Sequence, residues 1–340
     1  MNKVLVILGP TSSSKTDLAL SLAKKFNGEL ISCDSRQVYR GLDIGTGKMP
    51  GSGRWEVRYG KGYWDIGGIR MWMYDVVSPN VQYSVAAYVS GVIRVIGGIR
   101  ERNKLPIIVG GTGLYLKALI EGLPNLAIPV DKNLRRQLEK LSKQDLQKKL
   151  EETSKDKWDS LNKSDRQNPR RLVRVIELIL SSRRMLASRS GSGSNKQPLS
   201  RDWIPAYEGM TDFNIFKIGL TAPRGILYKR VDDRVVSRIK QGMISEAKML
   251  HKNGLSLKRM GQLGLEYGVL ANYLSGEIKE IEGDRGLVKL MQNKIHSYAR
   301  RQLTWFKKEK DVIWFDITNP EYQDKIEKLV RKWYDQQNAT

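Results

Sequence analysis

Short apolar runs alternate with amphipathic segments in the first third of the chain. Residues 3–8 form a short apolar run, residues 29–33 are typical of a second strand, residues 16–26 place leucine and alanine at helical spacing, and "LPIIV" (105–109) precedes a glycine-rich turn and a further helical pattern. Continuous apolar runs of this length are typical of strands that are buried on both faces. Their alternation with helices predicts an α/β fold with a parallel sheet.

The pattern changes in the middle of the chain. Residues 131–161 carry leucines at heptad-like spacing on a charged background, which predicts a pair of surface helices, and residues 188–200 have the composition of a flexible linker. Strand-like "FNIFKIGLT" (213–221) then precedes one long predicted helix that ends near Gly254. We therefore divide the chain into a first core part (1–128), a helical insertion (129–200), a second core part (201–318) and a C-terminal helix or tail (319–340).

The net charge of the chain indicates the kind of partner that it binds. The 340 residues include 59 Lys and Arg against 36 Asp and Glu, a formal net charge of +23. Such an excess favours a polyanionic partner, such as nucleic acid or an anionic membrane, over a basic soluble protein without one. The single cysteine, Cys33, excludes an internal disulfide and a cysteine-based zinc site, and two distant histidines disfavour a histidine metal cluster. No apolar stretch approaches the roughly 20 residues that span a bilayer, so we expect a cytoplasmic protein with no membrane contact.

A phosphate-binding loop is predicted where the first apolar run gives way to a helix. In such loops, backbone N–H groups and a lysine converge on phosphate oxygens, and a Thr or Ser hydroxyl binds Mg²⁺. Ser14 stands where the motif has glycine; if its φ is positive, the serine costs about 1 kcal/mol or more, and Ser14→Gly should raise activity. The alternative is a polar turn without a ligand. The predicted phosphate contacts are Gly9, Pro10, Thr11, Ser12, Ser13, Ser14, Lys15 and Thr16, with Thr16 as the Mg²⁺ ligand.

Polar side chains also follow two other predicted strands. Asp34 lies at the carboxyl end of the second strand, where open α/β sheets bind ligands. An isolated aspartate there is more often a helix cap, but Ser35, Arg36 and Gln37 add further polar groups at the same edge. The later strand ends in "GGTGLY" (110–115), whereas the corresponding strand of an ordinary ATPase ends in an acid. This argues against an ordinary ATPase.

Two basic segments are candidates for RNA contact. Residues 166–189 contain seven arginines and one acid, Glu177, and helical spacing places Arg170 and Arg174 on one face. The near absence of acids favours a phosphate-binding face over a merely solvated one. Residues 297–315 mix cations with Trp and Phe, which suits stacking on single-stranded bases and, equally, an amphipathic helix followed by an edge strand.

Taken in order, these motifs resemble those of the bacterial type of the tRNA dimethylallyltransferase (isopentenyl-tRNA transferase) family. The chain shows "GPTSSSKT", "DSRQVYRGLDIGTGK", "GGTGLYLKALIEGL", "NPRRLVRVIEL" and "RRQLTWF", and each is similar to a family motif. Any one of them is unspecific, but the series, which runs from about residue 4 to residue 318, is specific. The chain shows no counterpart of the C-terminal zinc finger of eukaryotic members, which implies the bacterial type.

The resemblance implies a P-loop NTPase-like fold, a parallel sheet flanked by helices, with a helical insertion that binds tRNA. It implies a monomeric enzyme that transfers a dimethylallyl group from dimethylallyl diphosphate to N6 of an adenosine beside the anticodon, so that the loop holds a leaving diphosphate with Mg²⁺. Asp34 matches the general base and Thr112 a positioning residue, while Lys15 and Arg224 match groups that stabilise the diphosphate. The positions that match tRNA contacts are Asp34, Ser35, Arg36, Gln37, Thr112, Arg135, Arg170, Arg171 and Arg174.

The chain departs from the family pattern in three places. Ser14 replaces the loop glycine, Glu266-Tyr267 stands where Gly-Tyr is usual, and the glycine- and aromatic-rich residues 51–74, which suit a β-hairpin, include a stretch with no clear counterpart. Two alternatives therefore stay open. A P-loop kinase for a small molecule shares the loop and the sheet, but it would normally carry a second Mg²⁺-directing acid and needs no cationic insertion. A tRNA-binding relative with weakened catalysis would account for Ser14.

Overall fold

A computed structural model describes residues 2–51, 55–123, 126, 128, 130–190 and 209–336 of the chain. It divides into two compact units, Met1–Glu121 with Met210–Thr340, and Gly122–Gly209. The strands are β1 (Lys3–Leu8), β2 (Gly28–Cys33), β3 (Val57–Gly60), β4 (Tyr63–Ile66), β5 (Ile69–Trp72), β6 (Leu105–Gly110), β7 (Asn214–Thr221) and β8 (Val312–Asp316). The helices are α1 (Lys15–Lys25), α2 (Val85–Glu101), α3 (Gly113–Ile120), α4 (Lys132–Leu138), α5 (Lys143–Thr153), α6 (Lys155–Ser160), α7 (Lys163–Arg166), α8 (Pro169–Ser190), α9 (Arg224–Lys240), α10 (Met243–Lys252), α11 (Leu257–Leu263), α12 (Leu265–Leu274), α13 (Leu287–Phe306) and α14 (Tyr322–Asp335).

The larger unit is built on one sheet with the strand order β3-β4-β5-β2-β6-β1-β7-β8. The strands from β5 to β8 in this order run parallel, and every residue of β1 and β2 is buried, as the continuous apolar runs predict. Gly110 at the end of β6 pairs with both Leu8 and Cys33, so the loops after β1, β2 and β6 leave the sheet side by side. The predicted parallel sheet flanked by helices is confirmed, and it brings three of the predicted polar segments to one edge.

The glycine- and aromatic-rich segment extends this sheet. The sequence predicts a hairpin over residues 51–74, and the structure shows three antiparallel strands there, with β5 also pairing in parallel with β2. Residues 52–54 lie outside the described part of the chain. Trp64 of β4 is fully buried and stacks edge-on against Tyr74, which explains how a segment so rich in glycine retains an apolar core contact.

The long helix predicted to end near Gly254 is in fact two helices. α9 ends at Lys240 and α10 begins at Met243, with Gly242 at φ 101° between them. The left-handed conformation that glycine adopts without penalty ends the first helix there. The prediction of a single helix is wrong because apolar spacing continues across the break, while the break itself depends on one residue.

The smaller unit contains α4 to α8 and has its own core. The predicted pair of surface helices over 131–161 is wrong, because Ser142 and Ser154 cap new helices and four of the leucines, Leu134, Leu138, Leu146 and Leu150, are buried in a core shared with α8. The predicted linker over 188–200 overlaps the end of α8, so residues 188–190 are helical, and residues 191–200 lie outside the described range. Across the described residues of both units, no helix combines the length and the apolar character that crossing a membrane requires.

Candidate active site

The phosphate loop, residues 9–16, connects the end of β1 to the start of α1. A side chain at Gly9, whose φ is 146°, would place its Cβ 2.4 Å from the carbonyl oxygen of Leu220, so only glycine fits against the neighbouring strand. Ser13 is buried and donates its hydroxyl to the carbonyl oxygen of Pro10 at 2.8 Å. Ser12 and Ser14 have φ values of 62° and 57°, so Ser14 occupies the left-handed conformation that the motif's glycine adopts freely.

Lys15 lies in the first turn of α1, with its ammonium group folded over the loop. It donates to the carbonyl oxygen of Pro10 and lies 3.3 Å from the Ser13 hydroxyl. Burial, and secondly the positive charge of Arg234, lowers the pKa of Lys15 to about 7, while the negative charge of Asp34 opposes this shift. The lysine is therefore within electrostatic reach of both Arg234 and Asp34.

Two arginines of α9 contact the loop, and the sequence analysis missed both. Arg230 donates from Nη1 to the Ser14 hydroxyl at 3.2 Å, and Arg234 donates from Nη1 to the Thr11 hydroxyl at 3.5 Å. Residues four apart share one helix face, so this spacing was a signal that could have indicated a cationic stripe on α9. The arginines give the loop two further cationic groups beside Lys15.

Arg224, the arginine predicted from the same segment, lies elsewhere. It is the first residue of α9 and is exposed; its Nε donates to the Tyr228 hydroxyl at 3.1 Å, and its guanidinium lies 5.4 Å from the centre of that ring. Among the described residues it makes no hydrogen bond to the phosphate loop. The helical phase of α9 turns Arg230 and Arg234 toward the loop, and these two arginines are the ones that form hydrogen bonds with it.

Asp34 and Thr112 follow adjacent strands and are linked by hydrogen bonds. Asp34 Oδ1 accepts from the backbone N–H of Arg36 at 2.8 Å, and the Thr112 hydroxyl accepts from the N–H of Ser35 at 3.1 Å. The N–H of Thr112 donates in turn to the carbonyl oxygen of Cys33 at 3.0 Å. The turn after β2 is thus tied to the turn after β6, which fixes the backbone on both sides of the Asp34 carboxylate.

The rest of the predicted recognition strip is also ordered. Gln37 accepts from the Ser32 hydroxyl at 2.6 Å and donates to the carbonyl oxygens of Thr46 and Gly47 at 3.4 Å each. The Arg36 guanidinium lies 5.0 Å from the centre of the Tyr298 ring, and its Nε is 3.8 Å from Asp34 Oδ1. Arg36 thereby presents a planar cation beside the predicted base.

Gln302, in the "RRQLTWF" segment of α13, connects the turn after β6 to the phosphate loop. Its side chain is 5% exposed; Oε1 accepts from the N–H of Thr11 at 2.8 Å, and Nε2 donates to the carbonyl oxygen of Gly111 at 2.8 Å. One amide therefore spans the loop after β1 and the turn after β6. The sequence motif gives no sign of this role, because both partners of the glutamine lie far from it along the chain.

A buried ion pair lies behind the site. Arg238, the third arginine of the α9 stripe, donates from Nη1 to the carbonyl oxygen of Gly45 at 2.9 Å and to Glu266 Oε1 at 3.4 Å. Burial, and secondly the charge of Arg234, lowers the pKa of Arg238 to about 9. Glu266, one of the departures from the family pattern, supplies the countercharge, and its Oε2 lies 4.0 Å from Nη1 of Arg36.

The four arginines predicted to contact tRNA outside the strip all belong to the smaller unit. Glu177 is fully buried, and its Oε2 accepts from Nη2 of Arg135 at 2.5 Å and from Nη1 of Arg174 at 2.9 Å. Arg171 pairs with Asp165, and the N–H of Arg170 donates to the Asn168 side chain at 3.1 Å. Arg135 and Arg174 therefore also stabilise the helical unit itself.

The larger unit thus combines an anion-binding loop and a carboxylate on one edge of the sheet. Loop N–H groups, Lys15 and two arginines can hold a diphosphate, and Asp34 can accept a proton within the same hydrogen-bonded frame. Within the described part of the chain, no group of three or more His, Cys, Asp or Glu side chains is arranged to hold a metal ion.

Known proteins resemble this chain along nearly its whole length. The family model described as IPP transferase matches residues 37–309. The tRNA dimethylallyltransferase of Ligilactobacillus salivarius is 34% identical over 97% of this chain and 99% of its own. The crystal structure of the tRNA isopentenylpyrophosphate transferase of Bacillus halodurans, 30% identical, covers 97% of this chain and 96% of that chain with a TM-score of 0.63. A eukaryotic dimethylallyltransferase acting on tRNA shares the fold, with a TM-score of 0.73 at 22% identity over 99% of this chain and 80% of that chain.

Proposed function

The chain belongs to the IPP transferase family, and we propose that it transfers a dimethylallyl group from dimethylallyl diphosphate to N6 of an adenosine beside the anticodon of tRNA. The observation that carries the proposal is the hydrogen-bonded frame between the phosphate loop and Asp34. Gln302 joins Thr11 to Gly111, and Thr112 joins the turn after β6 to Ser35. A leaving-group site and a proton acceptor are thereby held on one edge of the sheet.

The transfer forms a C–N bond and breaks a C–O bond, and the attacking nitrogen loses one proton to the general base. The adenosine N6 attacks the first carbon of the dimethylallyl group, the bond from that carbon to the diphosphate oxygen breaks, and the bonding pair leaves with the diphosphate. Loop N–H groups, Lys15, Arg230 and Arg234 would stabilise the growing negative charge on the leaving group, which is where preorganised donors contribute most to the rate.

The exocyclic amine of adenine is a poor nucleophile, so its proton must be removed as the new bond forms. A carboxylate held within hydrogen-bond reach can accept that proton. Asp34 is held by the Arg36 N–H and faces the same edge as the loop, so we assign it as the general base. Thr112, Ser35, Arg36 and Gln37 would position the adenosine, which must leave the stack of its loop to enter the site.

A divalent cation fits the residues at the start of α1. The Thr16 hydroxyl is an oxygen ligand of the kind that Mg²⁺ prefers, and the next residue, Asp17, has a buried carboxylate oxygen without a hydrogen-bond partner. Mg²⁺ would neutralise charge on the diphosphate, and we propose Thr16 as the protein group that holds it.

We further propose that the helical unit contacts tRNA and that the enzyme acts in the cytoplasm as a monomer. The formal net charge of +23 supports a polyanionic partner. Arg170 lies at the start of α8, and replacing it with alanine should weaken tRNA binding and lower the salt dependence by about one phosphate contact. An unchanged salt dependence would remove Arg170 from the interface.

The test is a transfer assay with the full chain, unmodified tRNA, dimethylallyl diphosphate and Mg²⁺, followed by mass analysis of the nucleosides. We expect adenosine to gain the mass of a dimethylallyl group. Asp34→Asn should lower the rate about 100- to 10,000-fold while tRNA still binds, and Asp324→Asn, at an exposed position of α14, should leave it unchanged. ATP-dependent phosphoryl transfer to a small molecule, without prenylation, would instead support the kinase alternative.

A further inference from the structure

Ser14 has a strained backbone conformation that lowers the stability of the loop. It is the N-cap of α1, with φ 57° and ψ 25°, and its side chain makes no capping hydrogen bond to the helix. The left-handed conformation is open to glycine and strained for a serine. The serine therefore needs a compensating role, because replacing it with glycine would remove the strain.

The compensating contact is with Arg230. The Ser14 hydroxyl accepts a hydrogen bond from Nη1 of Arg230 at 3.2 Å, across 216 residues of sequence. Arg230 is exposed, and no carboxylate of the described residues forms an ion pair with it. An exposed arginine samples many rotamers, so a fixed acceptor is needed to hold its guanidinium in one place.

The contact between Ser14 and Arg230 lies at the proposed diphosphate site. Ser14 lies within the loop that the proposed function assigns to the diphosphate, and Arg234, one helical turn beyond Arg230, reaches Thr11 in the same loop. A guanidinium held at Ser14 would meet the phosphate oxygens without further ordering, and such preorganisation strengthens binding.

Building on the proposed function, we propose that Ser14 is a positioning residue that anchors Arg230 at the phosphate loop, where Arg230 binds the diphosphate. This reverses the expectation drawn from the motif alone. Ser14→Gly relieves the backbone strain but releases Arg230, so it lowers diphosphate affinity where the motif predicts a gain.

Three substitutions separate strain from anchoring. Ser14→Ala keeps the strained φ and removes the hydroxyl, Ser14→Gly removes both, and Ser14→Asn supplies an acceptor on a residue that tolerates the left-handed conformation. The probe is inorganic pyrophosphate with Mg²⁺, whose binding to the full chain is measured by calorimetry. Thermal unfolding of each variant establishes that it is folded.

We expect Ser14→Ala and Ser14→Gly each to weaken pyrophosphate binding about 3- to 10-fold, and Ser14→Asn to stay within about 2-fold of the unaltered chain. With Arg230→Ala in the background, Ser14→Gly should have no effect or tighten binding. In the transfer assay the same loss should appear in the KM for dimethylallyl diphosphate, with a smaller change in kcat, and Ser14→Asn should restore it.

Two results overturn this inference while leaving the proposed function intact. One is an active chain in which Ser14→Gly binds pyrophosphate as tightly as serine does. The other is a set of effects of Ser14→Ala and Arg230→Ala that multiply independently, because coupled residues must deviate from additivity. An unaltered chain that binds no pyrophosphate and prenylates no tRNA overturns the proposed function, and this inference with it.

Discussion

Replacing Gln302 with methionine tests whether one buried amide holds the two halves of the site together. Methionine has a similar length and preserves the apolar contacts of the glutamine stem, so the substitution removes chiefly the two hydrogen bonds. Those bonds reach the N–H of Thr11 and the carbonyl oxygen of Gly111, each at 2.8 Å. Both backbone groups lose their side-chain partner in the variant.

The magnitude follows from the burial of the two bonds. The bond to Gly111 is buried, so its loss exposes the carbonyl to the full penalty of an unpaired polar group, about 1–3 kcal/mol. The bond to Thr11 is partly buried, so water can replace it and the loss is about 0.5–1.5 kcal/mol. We expect Gln302→Met to lower the free energy of unfolding by about 1.5–4.5 kcal/mol, a large part of the roughly 5–15 kcal/mol typical of a domain.

The assay is thermal unfolding with and without pyrophosphate. A ligand that binds the native state raises Tm in proportion to the logarithm of its concentration over Kd, so the shift reports loop integrity separately from global stability. Gln302→Met should lower the Tm by roughly 5–10 °C and reduce the pyrophosphate-induced shift. Gln302→Glu keeps the acceptor for Thr11 but places a buried negative charge against the carbonyl oxygen of Gly111 and beside the loop, so it should lose at least as much stability and more pyrophosphate affinity.

The matched control is Gln323→Met, at an exposed position of α14, which should change Tm by less than about 1 °C. If Gln302→Met unfolds at the same temperature as this control and binds pyrophosphate normally, the amide does not couple the loop to Gly111. The frame that supports the proposed function would then lack its central link.

Three further predictions concern other parts of the molecule. Glu177→Ala should destabilise the helical unit by up to about 3 kcal/mol; breaking a fully buried ion pair would cost more, but the two arginine partners here are partly exposed. Limited proteolysis should then cleave that unit faster, and unchanged cleavage would argue against a structural role. Gly110→Ala should lower the free energy of unfolding by about 1–3 kcal/mol and also lower transfer activity, because the new Cβ would lie 2.3 Å from the backbone oxygen of Cys33. The control is Gly97→Ala in α2, where the new Cβ meets open space; it should be neutral or stabilising in the same unfolding and transfer assays. Burial raises the pKa of the Cys33 thiol to about 12, so little reactive thiolate is present at pH 8. Alkylation at pH 8 should therefore be at least about 100-fold slower in the native chain than in urea, and equal rates would show that the carboxyl end of β2 opens readily.

The strands and loops of the site could be predicted from the sequence because their signals are local. A strand buried on both faces is a continuous apolar run, and β1, β2 and β6 lie where such runs occur. Parallel strands end at one edge of a sheet, so the runs also predict that Asp34 and Thr112 are neighbours. The family could be recognised from the sequence because each motif is a short stretch and the order of the motifs along the chain can be read without knowing the fold.

Contacts between distant residues were decided only by the tertiary structure. The resemblance implied Arg224 as a diphosphate contact, whereas Arg230 and Arg234 are the α9 arginines that form hydrogen bonds to the phosphate loop in the structure. Which side chains of α9 face the loop is set by how the whole helix packs. Gln302 lies 291 residues from the loop that it holds, and no periodicity in either segment records that pairing. Whether Ser14→Gly raises or lowers diphosphate affinity also depends on the tertiary structure. The backbone strain at Ser14 is local and follows from the residue type, but the hydrogen bond that offsets it comes from Arg230 on another helix.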